Sequence, residues 1–502
     1  ALVAAGGVLL LRRLGPPLAL ASLPLLFNLL WLFDPAVDLP RGRYLFAAGV
    51  WTASVLWAWA ALGQPPRLGD GDRRWVRLGP AFVAAALLPL YLLTMSRAVG
   101  AADTFEFQVV APQLGIAHPT GYPLYLLLGK LFSLLPFGTV AWRLNVASAV
   151  FATAAAAVVF RLACDLLRRP LAAMVGAVAL GLAPVYWSQA IVAEVYALHA
   201  LVVAVALWLM VGLVTDHGRR TTDRRKQVVA LMFVIGLGLT NHLTTLFLLP
   251  PAGLAVALRL GRDARSGQRG LTIRPLMRFL PAALAFLLPL LLYLYLPLRW
   301  QAVNGDPMGA ARFVDWVVGG RFQGALQWMA WLRDPARWGI VGRLLHDAWG
   351  WAYLALAAAG LAWLVWRQWR AALVLLVSAV GFAFYALNYY VPDLAVFLIP
   401  AHVVVAVFVA AGVAGAMVIG EAAHARAQRG EGREEESHAR TPRAPTEETE
   451  FLKRNSVSSI AAPLIFLLAL FPVLAAVGGR WPAVDLSGDD GGEPWARGVL
   501  SL

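Results

Sequence analysis

The sequence is poor in charge, in cysteine and in the short motifs of soluble enzymes. Only 14% of its 502 residues are Asp, Glu, Lys or Arg, whereas soluble domains have about a quarter. The single Cys164 cannot form an intramolecular disulfide. The sequence contains no Gly-rich phosphate loop with Lys, no HExxH, no CxxC and no GxSxG. Nucleotide hydrolysis and zinc proteolysis are therefore not expected.

Apolar residues make up 60% of the chain and gather in long runs. A run of roughly 17–25 apolar residues spans a bilayer, and spans without water must be helical. The 31-residue run 228–258 has basic clusters at both ends, so we predict two short or tilted spans that turn at Thr240-Asn241-His242. The fold class is thus an all-α, polytopic membrane protein with about 13–14 transmembrane helices. The apolar segments are 1–11 (partial), 16–33, 44–62, 79–97, 139–163, 171–191, 197–214, 228–258, 279–297, 347–366, 371–390, 394–419 and 458–478.

The positive charge is unevenly distributed between the loops. Of the 42 Lys and Arg residues, 29 fall in seven loops, which we assign to the cytoplasm because cytoplasmic loops are enriched in Lys and Arg. The net charge of +14 therefore reflects topology and predicts no nucleic-acid partner. The long loops 97–138 and 298–346 then lie outside. We predict an interfacial helix over 122–137, and the Trp-rich second loop should lie against the outer surface.

Ten polar or ionisable residues fall on the predicted outer side, although they come from five separate segments. Ionisable groups at membrane depth are costly and usually face a cavity. Each residue also has a purely structural explanation, such as a solvated loop face, a turn, an ion pair or a helix cap. Their shared side nevertheless predicts one polar cavity that opens outward. The residues are Asp103, Glu106, His118, Glu194, Tyr196, Asn241, His242, Asn304, Asp306 and Asp393.

Outward-facing carboxylates and a substrate that arrives through the membrane favour glycosyl transfer from a lipid-linked sugar. A carboxylate can take the proton of an acceptor hydroxyl while the sugar carbon develops oxocarbenium character. A cation beside the departing phosphate would stabilise its charge. Arg299, at the outer membrane boundary, and His242 are candidates for that cation.

Several sequence blocks resemble one family of membrane proteins. The run Ala102-Asp103-Thr104-Phe105-Glu106, LGIAHPTGYPLYLLLGKLFSLLPFG over 114–138 and WRLNVASA over 142–149 resemble the bacterial protein O-mannosyltransferase-like family. Later blocks over 187–201, 238–244, 295–307 and 389–401 follow in the same order, so the likeness covers roughly 80–420. The HPxGYPL block after an acidic pair is quite specific, and the later blocks are individually loose.

The resemblance implies a GT-C glycosyltransferase in a bacterial plasma membrane, with an extracytoplasmic site and a polyprenyl-phosphate sugar as donor, commonly mannose. It implies inversion at the sugar carbon, with Asp103 as general base. Glu106 matches the second acid of the family's Asp-Ser-Gly-Glu pattern, whereas Thr104 and Phe105 replace Ser and Gly here. A divalent cation, Mg²⁺ or Mn²⁺, held by Asp103 and Glu106 stays an open question. We also expect bacterial relatives to continue past Leu502 into a soluble outer domain.

The resemblance divides the chain into four parts. These are extra N-terminal spans over 1–78, a catalytic membrane core over 79–419, a disordered cytoplasmic linker over 420–457, and a last span with the start of an outer tail over 458–502. We expect His118, Tyr122 and Glu194 to shape the sugar and acceptor pocket, with the other outer residues binding substrate. The acceptor hydroxyl, on protein Ser/Thr, lipid or glycan, is left open.

The alternative is a non-catalytic transporter or flippase of a lipid-linked sugar. Transporters place polar groups at the midplane and often contain inverted repeats with broken helices. Here the polar residues stay near the outer surface and no repeat is evident. These differences and the family resemblance favour the enzyme.

Overall fold

The computed structural model describes residues 73–215, 224–265, 275–438, 465–471 and 484–488, with isolated positions at 49, 53 and 482. The predicted spans at 1–11, 16–33 and 44–62 and most of 458–478 lie outside the described residues. Within the described part of the chain, every named element is helical, and strand-like pairing is limited to one isolated bridge between Leu326 and Tyr389. The predicted all-α class is confirmed.

Fifteen α-helices form the described core, together with four short 3₁₀ turns. They are α1 Arg73–Thr94, α2 Ala102–Gln113, α3 Pro123–Ser133, α4 Val140–Leu167, α5 Pro170–Gly181, α6 Pro184–Ala190, α7 Val195–Val214, α8 Arg224–Leu239, α9 Leu249–Arg265, α10 Pro275–Leu290, α11 Tyr295–Asn304, α12 Ala310–Val317, α13 Ala330–Arg333, α14 Ala336–Asn388 and α15 Ile399–His438. The 3₁₀ turns are Leu243–Leu248, Leu291–Leu294, Gly320–Ala325 and Leu394–Leu398.

Six described helices are long and apolar enough to cross a membrane, or seven if α5 and α6, bent by 69°, form one span. This confirms the multi-pass membrane architecture. The run 228–258 divides between α8 and the helical segment Leu243–Ala264, with the break at 240–242 as predicted. The apolar side chains of α4, α7 and α15 form much of the buried core.

Helix α14 is a hairpin rather than one rod. A straight helix of its 53 residues would be about 80 Å long. Yet Arg337, at its start, donates through Nε to the Leu387 carbonyl at 3.2 Å, near its end. The backbone leaves helical geometry at Gly350 and at Gln368. The chain therefore reverses near Gln368, and the predicted pair of spans 347–366 and 371–390 is present as two antiparallel arms.

Glycines allow the first arm of this hairpin to lie directly against α15. A Cβ atom at Gly360 would lie 1.9 Å from the Phe408 carbonyl oxygen, and one at Gly412 would lie 2.2 Å from that of Leu356. Small residues permit this close backbone approach between membrane helices. The contact holds α15 beside the hairpin, whose far end and following loop contribute to the site.

The long loops and the predicted linker contain more helix than the sequence suggested. The first outer loop contains α2 and α3, the second of which matches the helix predicted over 122–137. The second loop contains α12, α13 and a 3₁₀ turn. Helix α15 continues to His438, well into the segment 420–457 that we expected to be disordered. Ala, Arg, Glu and Gln are frequent there, and these residues have high helix propensity.

Candidate active site

The first acidic pair lies near the start of helix α2. Asp103 is in its first turn, and Glu106 follows three residues later, so the two carboxyl groups share one face of the helix. The loop after α2 returns His118 to this face. One ligand atom from each of Asp103, Glu106 and His118 lies within 4.8 Å of the other two. The structure thus brings together the residues that the sequence placed 15 positions apart.

Glu106 holds His118 by both of its carboxylate oxygens. Oε1 accepts from the His118 backbone N–H at 2.9 Å, and Oε2 is hydrogen-bonded to the ring Nδ1. These bonds to His118 oppose the effect of burial, which would raise the Glu106 pKa, and the net pKa is lowered. Glu106 is therefore a carboxylate at neutral pH, and Nδ1 carries the imidazole proton.

The other ring nitrogen of His118 faces Tyr122 and Asp103. His118 Nε2 lies 3.1 Å from the Tyr122 hydroxyl and 3.9 Å from Asp103 Oδ2. Tyr122 occupies the left-handed region, with φ of 45°, at the N-cap of α3. Left-handed backbone is strained for an aromatic residue and often accompanies a functional site. The Asp103 side chain remains 56% exposed, so it is open to an incoming acceptor.

Glu194 provides a second, more buried carboxyl group. It caps α7, and its Oε1 accepts from Thr104 Oγ1 on α2 at 3.2 Å. Burial, together with the charges of Asp103 and Asp393, raises the Glu194 pKa to about 8. The carboxyl group is therefore mainly protonated at neutral pH, when it can donate as well as accept a hydrogen bond.

A cavity of about 680 Å³ opens between these elements and contains six of the predicted site residues in its wall. These six are Asp103, His118, Tyr122, Tyr196, His242 and Asp393. Glu106 and Glu194 reach the same region through their hydrogen bonds to His118 and Thr104. Segments that are distant along the chain therefore meet in one pocket. Its wall, over the described residues, contains no Lys or Arg.

His242 differs from the expected cation. Burial lowers the His242 pKa to about 4, so the imidazole is uncharged at neutral pH. Its Nδ1 accepts from the Thr244 backbone N–H at 3.3 Å and is 2.7 Å from Thr244 Oγ1. The ring stacks on His199 with centroids 4.8 Å apart. We predicted an imidazolium cation, but the His242 ring is neutral because it is shielded from water and has no anionic partner among the described residues.

The other predicted cation, Arg299, is held outside the cavity wall. Its Nε donates to the Leu114 carbonyl at 2.8 Å, and an Nη donates to the Gln113 carbonyl at 3.4 Å. These bonds satisfy the end of α2, a helix whose last carbonyls lack partners within it. Arg299 therefore ties α11 to α2, which is a structural function that the sequence did not indicate.

Three further predicted residues also take structural partners. Asn304 donates to the Trp300 carbonyl at 3.3 Å, and Asp306 accepts from Arg312 at 2.6 Å. Neither residue lines the cavity. Asn241 is fully buried beneath the wall and donates to the Val195 carbonyl at 3.2 Å. Asn241 thus fixes the turn before His242 to the start of α7.

The sequence analysis missed several groups that border the cavity. Tyr385, Tyr389 and Phe397 form an aromatic surface with Tyr196. Gln323 lies in the wall, and the neighbouring Arg321 acts electrostatically on Glu106. Tyr389 stands in the YYVPDLAVFLIPA block, but an aromatic residue in an apolar run is indistinguishable from a core residue by sequence alone.

Comparison with known proteins gives this geometry a family context. Residues 103–264, which include the acidic pair, His118, Glu194 and His242, match the model described as the protein O-mannosyl-transferase TMEM260 N-terminal domain. The predicted likeness to the protein O-mannosyltransferase-like family is confirmed. The matched segment stops before the aromatic residues of α14 and the following loop.

Two curated relatives carry the same name. The mouse protein O-mannosyl-transferase TMEM260 is 31% identical over 237 residues, 47% of this chain and 32% of the relative. The Dictyostelium discoideum protein of that name is 27% identical over 184 residues, 35% of this chain and 22% of the relative. The chain thus spans about a third or less of these relatives.

Solved structures of ArnT from Cupriavidus metallidurans align with much of the chain. The form bound to undecaprenyl phosphate has a TM-score of 0.48 and 16% identity, over 82% of this chain and 78% of that one. The apo form has a TM-score of 0.47 and 14% identity over the same shares.

Proposed function

We propose that the protein is a membrane glycosyltransferase that moves a sugar, mannose in the first instance, from a polyprenyl-phosphate carrier to an acceptor hydroxyl. The observation that carries this proposal is the open Asp103 carboxylate beside the Glu106–His118 pair, at the wall of a cavity between membrane helices. The family match over 103–264 supports the same reaction class. The site faces the outer side of a bacterial plasma membrane in this proposal.

The reaction follows from the positions of these groups. Asp103 takes the proton of the acceptor hydroxyl as its oxygen forms a bond to the sugar C1. The bond between C1 and the phosphate oxygen breaks at the same time, and the electron pair leaves with the phosphate. Attack opposite the leaving group inverts C1. Glu106 and His118 are hydrogen-bonded to each other and fix the loop after α2 beside Asp103, with His118 Nε2 3.9 Å from Asp103 Oδ2.

The lipid carrier has a path to the site from the side. Part of the cavity wall is apolar, and two of its residues, Leu246 and Trp328, are more than half exposed on the protein surface. An exposed apolar edge beside a polar cavity suits a ligand with a hydrocarbon tail and a polar head. We place the first isoprenoid units of the donor there, with the sugar directed towards Asp103.

The donor phosphate requires a cation, and Arg321 is the candidate that replaces Arg299 and His242. It lies on the 3₁₀ turn Gly320–Ala325, next to the wall residues Phe322 and Gln323. Its charge acts on Glu106, which is hydrogen-bonded to the wall residue His118. A guanidinium can bind phosphate oxygens through two parallel N–H bonds. In this proposal Arg321 offsets the charge that develops on the leaving phosphate.

A divalent cation is a separate question for the same cluster. Asp103, Glu106 and His118 offer two carboxylate oxygens and one imidazole nitrogen, a donor set that Mg²⁺ or Mn²⁺ accepts. Both Glu106 oxygens, however, are already bonded to His118. Treating the purified protein with a metal chelator distinguishes a metal-bound cluster from a purely hydrogen-bonded one. Activity that survives chelation supports the hydrogen-bonded cluster, whereas loss with recovery on adding Mn²⁺ assigns a metal.

The function itself is tested with purified full-length protein in sealed proteoliposomes. Labelled polyprenyl-phosphate mannose and cell-envelope acceptors are supplied, and transfer of label is measured. We expect label on an acceptor hydroxyl and release of polyprenyl phosphate. Movement of the intact lipid-linked sugar across the bilayer without any transfer would support the transporter alternative instead.

A further inference from the structure

A chain of hydrogen bonds runs through the cavity wall behind His242. Thr245 Oγ1 lies 3.4 Å from His199 Nδ1, and His199 Nε2 lies 3.0 Å from Thr244 Oγ1. Thr244 Oγ1 in turn lies 2.7 Å from His242 Nδ1. All four side chains are buried. Such a network is stable only when each hydroxyl and ring nitrogen has a definite donor or acceptor role.

One contact determines the direction of the whole chain. The Thr244 backbone N–H can only donate, so His242 Nδ1 must be an acceptor. The Thr244 hydroxyl can then donate to the same nitrogen and accept from His199 Nε2–H. The Thr245 hydroxyl donates to His199 Nδ1. A neutral imidazole has one N–H group, and because His242 Nδ1 is an acceptor, the proton must be on Nε2. The hydrogen-bond chain therefore ends at the Nε2–H group of a ring that lines the cavity.

The surroundings of that N–H suit an uncharged, hydroxyl-rich ligand. The Asp103 and Asp393 carboxylates line the cavity, and the wall has no Lys or Arg in the part of the chain that the structure describes. A phosphate placed against His242 would therefore meet negative charge without a neutralising partner. A sugar hydroxyl has no such cost, and it can accept from His242 while donating to Asp393.

The rings beside His242 form a continuous aromatic wall, made of Tyr196, Phe397, Tyr389 and Tyr385. Tyr196 and Phe397 have centroids 5.6 and 5.8 Å from that of His242. Tyr389 lies 5.0 Å from Phe397 and 4.9 Å from Tyr385. All four line the cavity. The C–H face of a pyranose packs well on such apolar ring surfaces, while its hydroxyls reach polar groups at the edge.

We infer that His242, Asp393 and the aromatic wall form the subsite that holds the sugar ring of the donor. His242 donates through Nε2–H to one sugar hydroxyl oxygen, and Asp393 accepts from another. Thr244 is a positioning residue, since it selects the His242 tautomer without reaching the sugar. This inference rests on the proposed glycosyl transfer and extends it, because it separates the sugar position from the lipid path at Leu246 and Trp328.

The first test measures binding and does not depend on turnover. The affinities of full-length protein for polyprenyl-phosphate mannose and for polyprenyl phosphate are compared, and the ratio isolates the sugar. His242→Phe keeps a planar ring but removes the donor, and we expect it to reduce the ratio by about tenfold, typical of one hydrogen bond lost from a buried site. Equal affinity of the unmodified protein for the two lipids would overturn the subsite.

The second test identifies the bonded hydroxyl. Donors that lack the 2-, 3-, 4- or 6-hydroxyl of mannose are compared in kcat/KM with the parent donor. With the unmodified protein, kcat/KM should fall about tenfold for one of the deoxy donors. With His242→Phe the same donor should lose far less, because the variant already lacks the other partner of that hydrogen bond. If His242→Phe leaves the whole deoxy series unchanged, His242 does not contact the sugar. Absence of any transfer would instead contradict the proposed function and leave the binding test to decide the subsite.

Two matched variants separate positioning from folding. Thr244→Val removes the hydroxyl at nearly constant shape but keeps the backbone N–H that makes His242 Nδ1 an acceptor. The Nε2–H tautomer should therefore persist in ¹⁵N spectra of labelled imidazole, in Thr244→Val as in Thr244→Ser. His346→Phe is the control, because His346 is exposed and lies outside the cavity wall. It should change neither the affinity ratio nor the deoxy series. An Nδ1–H tautomer for His242 in the unmodified protein would refute the inference.

Discussion

Two histidines that line the same cavity use their Nδ1 atoms in opposite ways. His118 donates through Nδ1 to the Glu106 carboxylate, and its Nε2 lies 3.1 Å from the Tyr122 hydroxyl. His242 accepts at Nδ1 from Thr244, so Nε2 carries its proton. The first is partly exposed among charges, and the second is buried among hydroxyls and rings. The comparison shows that backbone and hydrogen-bond partners, rather than the residue type, decide what an imidazole can do.

This difference divides the cavity into a charged wall and a neutral wall. Asp103, Glu106 and His118 form the charged wall, where we place proton transfer. His242 and the aromatic rings form the neutral wall, where, with Asp393 beside them, we place sugar binding. If the division is correct, substitutions in the charged wall should mainly lower kcat, and those in the neutral wall should mainly weaken donor binding.

The largest effect is expected for Asp103→Asn. Loss of the base should lower kcat by about 10²- to 10⁴-fold, the usual contribution of general base catalysis. The amide keeps the shape, so thermal stability and membrane insertion should be unchanged. Asp306→Asn is the matched control, because that carboxylate pairs with Arg312 away from the cavity. A fully active Asp103→Asn protein would remove the charged wall from catalysis.

The next effect concerns the Glu106–His118 pair. Glu106→Gln and His118→Phe should each lower kcat by about tenfold to a hundredfold, because either change frees the loop that supports Asp103. Since the residues act as one unit, the double variant should be no worse than the poorer single variant. Steady-state kinetics of the three proteins measures this coupling. If the losses in kcat of the two single variants multiply in the double variant, Glu106 and His118 contribute independently and do not act as a pair.

Glu194 joins the two walls, and its protonation makes a prediction about stability. Its pKa in the folded protein, about 8, lies above that of a free carboxyl group. Its contribution is therefore complete at low pH and is lost as pH rises towards 8. Glu194→Gln keeps the acceptor for Thr104 without the ionisation. We expect its melting temperature to exceed that of the unmodified protein by a few degrees at pH 9 but not at pH 4. A constant difference between these pH values would contradict the assignment.

The smallest effect is expected at the cavity mouth. Arg321→Gln should raise the KM for the donor by a few-fold at low salt, with less effect in 0.5 M NaCl because exposed charges are screened. Arg312→Gln serves as control, since Arg312 already pairs with Asp306. An unchanged KM at low salt would show that a cation other than Arg321 binds the donor phosphate. A change in kcat alone would place Arg321 with the charged wall instead.

Several features of the site could be read from the sequence because they depend on near neighbours. Asp103 and Glu106 share a helix face through their spacing of three, and HPTGYP indicates the turn that carries His118 and Tyr122. Asp393 was placed correctly in the shared cavity by its position at a predicted helix end. His199 was missed, although an ionisable residue inside an apolar helix is itself a signal of a polar partner.

Arg299 and His242 show the limit of prediction from the sequence. Both were expected to be cations that face the donor phosphate, because both lie near the outer boundary. The structure instead engages Arg299 with backbone carbonyls more than 180 positions earlier and buries His242 against His199. Neither outcome depends on local sequence. Each is produced by the approach of helices that are distant along the chain.

The sequence alone determined that this is a helical, multi-pass protein, and it predicted that several distant polar residues share one cavity. Run length and local spacing carry that information, because a span must satisfy its own backbone and bury apolar side chains in lipid or protein. Only the tertiary structure decided which groups meet and which nitrogen of each histidine bears the proton. Those properties arise from contacts between segments such as α7 and the 3₁₀ turn Leu243–Leu248, where one backbone N–H sets the direction of a whole hydrogen-bond chain.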